Sequence, residues 1–184
     1  RFFSRFPISD GGEPLRGIDS QVETPTEWAL DEPLYAVESQ WIPPGIHARI
    51  EGSFQVDNWL ADDVQFELKD DGMPVLQSPA QADLFVYISD TAMASEPGTA
   101  PVWIFGHGVF SEPDNYLFQG EDVSGVAELA DRAGAILIGT RWRGMTYTDV
   151  LTAVNVGNDF GRIPELSNKL AQGVANHVAL TRLI

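Results

Sequence analysis

The pattern of hydrophobic and polar residues changes along the chain and divides it into an irregular part and a regular part. Residues 1–45 carry prolines and glycines too often for a long helix or a central strand. Apolar residues such as Trp28 and Leu34 nevertheless recur among them. We therefore interpret residues 1–45 as an extended, proline-rich N-terminal arm that lies on the domain or reaches beyond it, and residues 46–184 as the domain itself.

Residues 46–69 show the period-two alternation that is typical of half-buried β-strands. Apolar side chains at alternate positions from Ile46 to Val56 predict a strand with a bend at Gly52. The segment DVQFELK, residues 63–69, predicts an antiparallel strand with one solvated face. The Asp-Asp-Gly sequence at 70–72 then indicates the turn of a hairpin.

Two mainly apolar segments follow, and each predicts a further strand. ADLFVYISD, residues 82–90, has few polar interruptions, and PVWIF, residues 101–105, has none. The second segment is typical of a strand that is buried on both faces. After residue 110 the pattern changes to alternating helix and strand.

The first helix of this second part is predicted to begin at Ser124, a residue suited to the N-cap. Gly134 is expected to end it, and AILIGT, residues 135–140, then predicts a strand of a parallel sheet. The apolar stripe of the predicted helix is formed by Val126, Leu129, Ala130 and Ala133.

A long amphipathic helix is predicted over IPELSNKLAQGVANHVALTRLI, residues 163–184, with Pro164 in its first turn. Its expected apolar stripe consists of residues four positions apart: Leu166, Leu170, Val174 and Val178. Antiparallel leading strands followed by strand, helix, strand and helix predict an α/β fold. A right-handed crossover is expected to carry residues 101–105 to residues 135–140, and the next expected element is a further parallel strand.

Composition narrows the functional classes. The formal net charge is −16, from 27 acidic and 11 basic residues, which argues against nucleic-acid binding and against docking on an anionic membrane. No apolar stretch approaches the roughly 20 residues that a membrane span needs. The acidic, lysine-poor composition suits a secreted or periplasmic protein, and simple solubility is the alternative explanation. The chain has no cysteine, and no metal site or cofactor is predicted.

The sequence Gly106-His107-Gly108 is the first candidate for chemistry, because it directly follows the strand at 101–105. Ligands of open α/β sheets bind beyond the carboxyl ends of the parallel strands. Glycines there let a ligand approach the backbone closely, so that amide N–H groups can stabilise an oxyanion. We expect these three residues to contact substrate and the backbone of Val109, or of Phe110, to supply the amide. A tight turn organised by His107 is the structural alternative.

The loop GTRWRGMT, residues 139–146, is the second candidate, because it follows the next parallel strand. Trp142 and Met145 are candidate substrate-pocket residues, and Arg141 or Arg143 could pair with a nearby acidic residue. A structural loop anchored by a packed tryptophan is an equally weighted interpretation.

The segments FGHGVF, VAELADRAGAILIGTRWRGMTYTDV and NDFGRIPELSNKLAQGVANHVALTRLI together resemble the N-terminal portion of an α/β-hydrolase. The resemblance covers about residues 46–184. It is to bacterial esterase- or lipase-like members with a β-rich N-terminal extension. It implies the N-terminal half of a hydrolase sheet, incomplete without a further chain or segment.

The nucleophile that such an enzyme requires is absent from the sequence. No serine has the Gly-x-Ser-x-Gly pattern, and Ser124 is flanked by Asp122 and Val126 where the glycines belong. His47, on an early strand, and His177, on the last helix, are poor candidates for the base. The resemblance therefore implies a serine hydrolase of carboxylic esters. A second chain or a downstream segment would carry its Ser, Asp and His, and its substrate would be a small ester or acyl compound. The alternative is a non-catalytic, β-rich binding or structural module.

Overall fold

The computed structural model describes residues 25–35, 42–119, 122–123 and 125–184. Most of the predicted arm, and the expected cap Ser124, lie outside these ranges. The strands are β1 (Trp28–Leu30), β2 (Leu34–Tyr35), β3 (Ile46–Val56), β4 (Leu60–Ala61), β5 (Gln65–Phe66), β6 (Ala80–Ser89), β7 (Val102–Phe105), β8 (Phe118–Gln119), β9 (Asp122–Val123) and β10 (Ile136–Gly139). The helices are α1 (Asp90–Met93), α2 (Pro113–Leu117), α3 (Gly125–Ala133), α4 (Val150–Asn158) and α5 (Ile163–Leu183).

A mixed sheet of α/β class organises these elements, and most of its strand pairs are antiparallel. Its order is β1-β3-β6-β10-β7, and β2 also pairs with β3. β3 and β6 form the longest antiparallel pair, and β10 is antiparallel to β6. β10 is parallel to β7, with Gly139 beside Phe105, which confirms the predicted parallel pair. Within the described ranges, no helix combines the length and hydropathy that crossing a membrane requires.

The two longer helices that pack on the sheet cover opposite faces. Ala127 and Ala130 of α3 pack against a cluster that contains Phe85 and Leu137. Residues of α5 pack against a cluster that contains Leu84 and Ile138. Successive residues of a strand point to opposite sides, so Leu84 and Phe85 mark two separate faces. The core is therefore split into two layers by the sheet.

β3 follows the predicted alternation, but its irregularity lies elsewhere than expected. The pairing register with β6 shifts between Ile46 and Ala48, not at Gly52. Gly52 lies opposite Leu30 of β1, and a Cβ at this position would collide with the carbonyl oxygen of Ala29. The glycine thus permits close approach of the neighbouring strand, and the regular register at this residue shows that no β-bulge lies at the position of the predicted bend.

The predicted strand over residues 63–69 is much shorter in the structure. Only Gln65–Phe66 forms a strand, paired with Leu60–Ala61, and Leu68 makes a single bridge to Pro74. The turn expected at 70–72 is present, because the amide of Gly72 donates to the carbonyl of Lys69 at 2.9 Å. Leu68 is exposed because the segment lies away from the central sheet.

The expectation that residues 101–105 are buried on both faces is wrong for the described chain. β7 is the last strand of the sheet, and the side chains of Val102 and Ile104 are 44% and 40% exposed. These residues lie beside Ile136 and Ile138 of β10, which face α5. The apolar sequence of β7 therefore belongs to an edge strand, and α5 covers its face of this strand only in part.

α3 ends at the predicted residue, but the side chains that it buries are not those of the predicted apolar stripe. Gly134 has φ +62°, its amide bonds to Asp131, and the amide of Ala135 bonds to Ala130, which forms a Schellman motif. Ala127 and Ala130 are the fully buried residues of this helix, whereas Leu129, expected in the stripe, is 58% exposed. Small residues occupy the inner face because the helix lies close to the sheet.

α5 is present where the periodicity predicts it, but its inner face is different. The expected apolar stripe (Leu166, Leu170, Val174 and Val178) is only half-buried and lies along the flank. The buried residues are mostly small or polar: Asn168, Lys169, Gln172, Gly173, Ala175, Asn176, Ala179 and Leu180. Gln172 explains why polar residues point inward, because it accepts from Trp59 N at 3.0 Å and donates to Asp57 O at 2.8 Å. The helix thereby satisfies backbone groups of the adjoining loop.

We expect Gly173→Ala to lower the free energy of unfolding by about 1–3 kcal/mol. A Cβ at Gly173 would lie 2.5 Å from both Trp142 Cδ1 and Arg143 O. Gly157→Ala on α4 is the matched control, because nothing lies within 4 Å of the new Cβ. The free energy of unfolding of the control should rise by up to about 1 kcal/mol, because alanine has a higher helix propensity than glycine. Urea unfolding measures both, and equal stability of the two variants would contradict the packing argument.

Candidate functional site

Two loops meet at the carboxyl edge of the sheet. Residues 106–111 follow β7 and residues 140–146 follow β10. Because β7 and β10 are parallel, both loops leave the sheet at the same edge. The two segments proposed from the sequence for ligand contact are therefore neighbours.

His107 joins the two loops through both of its ring nitrogens. The backbone N–H of Trp142 donates to His107 Nε2 at 2.7 Å, and His107 Nδ1 lies 2.9 Å from the carbonyl oxygen of Gly108. The first bond requires an unprotonated Nε2, so Nδ1 carries the proton and donates it. The ring is 3% exposed. His107 thus acts as an organiser of the loops, with no nitrogen free for proton transfer.

Two further interactions fix the loops to each other. The amide of Ser111 donates to the carbonyl of Met145 at 3.2 Å. Arg141 donates to Glu112 at 3.0 Å and to Asp83 of β6 at 2.7 Å. Arg141 therefore pairs with acidic residues, which is one of the two interpretations that the sequence left open, and both loops are held against the sheet. The backbone of Met145, a predicted pocket residue, takes part in this connection.

Residues 108–111 form a tight turn with an unusual backbone. The amide of Ser111 bonds to the carbonyl of Gly108 at 3.3 Å, and Phe110 has φ +55°. A positive φ at the third residue is the pattern of a type II turn, where glycine is preferred. A phenylalanine in this conformation costs about 1–3 kcal/mol, and strained residues of this kind cluster at functional sites.

The turn leaves two backbone donors without partners. Among the residues that the structure describes, the amide N–H groups of Val109 and Phe110 make no hydrogen bond. The side chains of both residues are also exposed, Val109 by 65%. The predicted oxyanion donors therefore lie at the carboxyl edge in a turn that leaves them open.

Gly108 lies under the side chain of Tyr116, which limits this side of the turn. A Cβ at Gly108 would collide with the tyrosine hydroxyl, and the ring of Tyr116 makes an edge contact with Phe105 at 5.6 Å between centroids. Glycine is required here because the aromatic side chain occupies the space of a Cβ.

Trp142 packs between the loops and α5. Its ring lies beside Gly106, where an added Cβ would be 3.3 Å from Trp142 Cζ3, and beside Gly173. His177 contacts the indole at 4.9 Å between centroids. These contacts are those of an anchoring residue, and the missing side chains of the two glycines make room for the indole.

His177 is held in its neutral form by its surroundings. Burial lowers the pKa of His177, and a bond to the carbonyl of Gly173 offsets this in part. Nε2 of His177 is buried and has no partner among the described residues. The third histidine, His47, is on β3, far along the sheet from both loops. Its Nδ1 lies 3.6 Å from Oδ1 of Asp90.

Asp149, the side chain of this region with the most hydrogen bonds, was not predicted from the sequence. Asp149 accepts from Gly144 N, Thr146 N and Thr146 Oγ1 at 2.7–3.1 Å, and from Lys169 Nζ at 2.9 Å. Burial raises the pKa of Asp149, but the bonds from Lys169 and Thr146 outweigh it and the net shift is downward. Two signals were available: the capping-box spacing of Thr146 and Asp149, and a lysine on the inner side of α5.

Comparisons with protein-family models, with curated protein sequences and with solved structures find no match for this chain.

We expect the stability of the protein to fall as the pH drops below about 6.5, the ordinary pKa of histidine. The unfolded chain then binds a proton on His177 that the folded state accepts only at lower pH. In His177→Phe this dependence should be shallower by up to about 1.4 kcal/mol per pH unit. Urea unfolding of the wild type and the variant at pH 7.5 and 5.5 measures this pH dependence of the free energy of unfolding. Unfolding at pH 8.5, where histidine is neutral in both states, gives the reference value. An unchanged slope would contradict a buried neutral imidazole.

We expect Phe110→Gly to stabilise the protein by about 1 kcal/mol, because glycine adopts a positive φ without strain. Val109→Gly is the control, because Val109 does not have a positive φ. The free energy of unfolding of this variant should fall by about 0.5–1 kcal/mol, since glycine gives the unfolded chain more conformational entropy. Thermal unfolding of the two variants tests the assignment. A Phe110→Gly variant less stable than Val109→Gly would show that the turn is not strained.

Proposed function

We propose that this chain supplies the oxyanion-binding loop of a serine hydrolase that acts on carboxylic esters. The nucleophile, acid and base would lie outside residues 1–184, on a second chain or another segment. The observation that carries the proposal is the pair of unpartnered amides at Val109 and Phe110. Acyl transfer passes through a tetrahedral oxyanion, and fixed backbone N–H groups are the donors that stabilise it.

The position of the turn supports this role. In an α/β-hydrolase one oxyanion donor comes from the loop after the third strand and the other from the residue after the nucleophile. Here the turn follows the first of the two parallel strands, and His107 holds it through bonds to both loops. Preorganised donors need no rearrangement when charge develops, which is why a rigid loop favours catalysis.

The arrangement of the helices supports a further strand beyond β7. The connection from β7 to β10 passes through α3 on one face of the sheet, whereas α5 lies on the other face. Crossover connections between parallel strands are almost always right-handed. A parallel strand that follows α5 must therefore add on the far side of β7. Val102 and Ile104, partly exposed on the α5 side, are the apolar residues that such an addition would cover.

The chemistry at the turn would then follow the general course of acyl transfer. A serine on the added segment gives its proton to the base there and attacks the ester carbonyl carbon, and the amide of Val109 donates to the resulting oxyanion. Collapse of this intermediate breaks the ester C–O bond, the base returns the proton to the departing alcohol, and water then hydrolyses the acyl-enzyme. The exposed side chains of Val109 and Phe110 flank these donors and suit the apolar part of an ester. His107 positions the turn and takes no proton, because both of its nitrogens are engaged.

A fluorophosphonate probe tests the proposal on the native protein with any chain that co-purifies with it. The probe reacts with an activated serine, so we expect label on a polypeptide other than residues 1–184. Absence of label on every polypeptide, with no co-purifying chain, would favour a non-catalytic binding or structural module in which the Gly-His-Gly turn is purely structural.

Val109→Pro tests the donor itself. Proline is favoured at the second position of a type II turn, so it should keep the fold while removing the N–H of residue 109. We expect hydrolysis or probe labelling to slow by about 10²–10³-fold. Val109→Ala retains the N–H and should change the rate only a few-fold. Equal rates in the two variants would exclude Val109 as the donor.

A further inference from the structure

A second polar site lies beside the carboxyl end of β10, between the start of β6 and α5. Its cavity has a volume of about 390 Å³. Its charged lining is balanced, with three basic residues (Arg141, Arg143 and Lys169) and three aspartates (Asp63, Asp83 and Asp149), although the protein as a whole is strongly acidic. None of residues 106–111 lines the cavity, so it does not depend on the proposed hydrolase loop.

The buried charge at the base of the cavity is fully compensated. Lys169, whose side chain is 8% exposed, pairs with Asp149 at 2.9 Å and with Asp63 at 3.1 Å. Asp149 already accepts four hydrogen bonds, so its carboxylate has little capacity left. Lys169 and Asp149 therefore form the structural floor of the site.

Two other residues that line the cavity, Arg143 and Asn176, have donors that fewer acceptors engage. Arg143 pairs with a single carboxylate among the described residues, Asp63, which it shares with Lys169. Burial lowers the pKa of Arg143, and the charge of Asp149 offsets this in part. Asn176 is 6% exposed and uses only its Oδ1, as an acceptor from Gln172. Its Nδ2 donates to no described residue.

Thr140 adds a second unsatisfied group to the same wall. It is 1% exposed, and its Oγ1 has no hydrogen-bond partner among the described residues. Buried polar groups are normally paired, so the unpaired hydroxyl of Thr140 beside this cavity favours a polar occupant, and the Asn176 amide adds a donor that no described residue uses. The amide of Asn176 and the guanidinium of Arg143 are donors on this wall, so they suit an occupant that carries acceptor oxygens.

Asp63 covers these donors from the solvent side in a strained conformation. Asp62 and Asp63 have φ +47° and φ +67° between β4 and β5, and the amide of Val64 bonds to the carbonyl of Ala61 at 3.2 Å. Two positive φ values define a type I′ turn, which prefers Asn-Gly to Asp-Asp. The side chain of Asp63 is 57% exposed, so its carboxylate can leave the basic residues without unfolding the core.

We propose that this cavity binds a small oxyanion, a carboxylate or a phosphate group, whose oxygens take the place of the Asp63 carboxylate on Arg143 and Lys169. The amide of Asn176 supplies a further donor. Arg143 gives the bidentate geometry that oxyanions favour, and Lys169 supplies a fixed charge. Asp63 then acts as an internal competitor that occupies the same donors when no ligand is bound.

Isothermal titration calorimetry with sodium acetate and, separately, sodium phosphate tests the site, with sodium chloride holding the ionic strength constant. We expect Asp63→Gly to bind about tenfold more tightly than the wild type, since a competing carboxylate is removed. Asp62→Gly is the matched control. It relieves the same turn, keeps Asp63, and should bind like the wild type. Response to acetate alone assigns a carboxylate ligand, and response to phosphate alone assigns a phosphate.

Arg143→Gln should abolish binding of either anion, and circular dichroism checks that this variant folds. If it does not fold, Asn176→Ala decides instead, because it should weaken binding several-fold through loss of one donor. The proposal is overturned if neither anion binds to Asp63→Gly, or if Asp62→Gly gains as much affinity as Asp63→Gly. Unchanged binding in a folded Arg143→Gln variant would overturn it as well.

Discussion

The parallel pairing of β7 with β10 is the constraint on which the rest of this structure depends. It places Gly106 and Thr140 at the same edge of the sheet, so two loops far apart in sequence lie side by side. The hydrogen bond from Trp142 N to His107 Nε2 then joins them. Without that pairing the turn that carries Val109 would have no fixed position relative to the sheet, and its open amides could not be preorganised.

α5 stabilises the carboxyl edge of the sheet through close packing and through polar contacts. Its small residues allow close packing on the sheet, and Gly173 in particular admits the indole of Trp142. Its polar residues meet charges and backbone groups, as Lys169 does with Asp149 and Gln172 does with the backbone of Asp57. Burying Lys169 and Gln172 is tolerated because each is matched by partners in the adjoining loops. One helix thereby supports the loop after β10 and forms one wall of the cavity.

Backbone strain coincides with both candidate sites. Apart from glycines, the described residues with positive φ are Asp62, Asp63 and Phe110. Phe110 lies in the turn that leaves two amides open, and the two aspartates lie in the turn that places a carboxylate over Arg143. A strained residue persists only where its surroundings fix it, and such residues cluster at functional positions. The coincidence supports both proposals on grounds that are independent of sequence resemblance.

Local patterns in the sequence were sufficient for several elements. Period-two alternation predicted the long strand from Ile46 to Val56, and Gly134 predicted the end of α3, because both depend on the chain's own backbone and nearest neighbours. The glycines around His107 likewise indicated a loop that a ligand could approach. Phe110 and Val109 were named as donors from the same local argument, and their catalytic role stays a prediction.

Other features depended on contacts between distant segments, which periodicity does not report. The inner face of α5 could not be predicted, because its polar residues face inward only to meet Asp63, Asp149 and the loop at Asp57. The exposure of Val102 and Ile104 likewise follows from the position of β7 in the sheet order. The sequence by itself determined the long strand at residues 46–56, the end of α3 at Gly134 and the position of α5, since backbone geometry and local periodicity set them. Only the tertiary structure decided which side chains meet, because hydrogen bonds and ion pairs require partners that folding brings together.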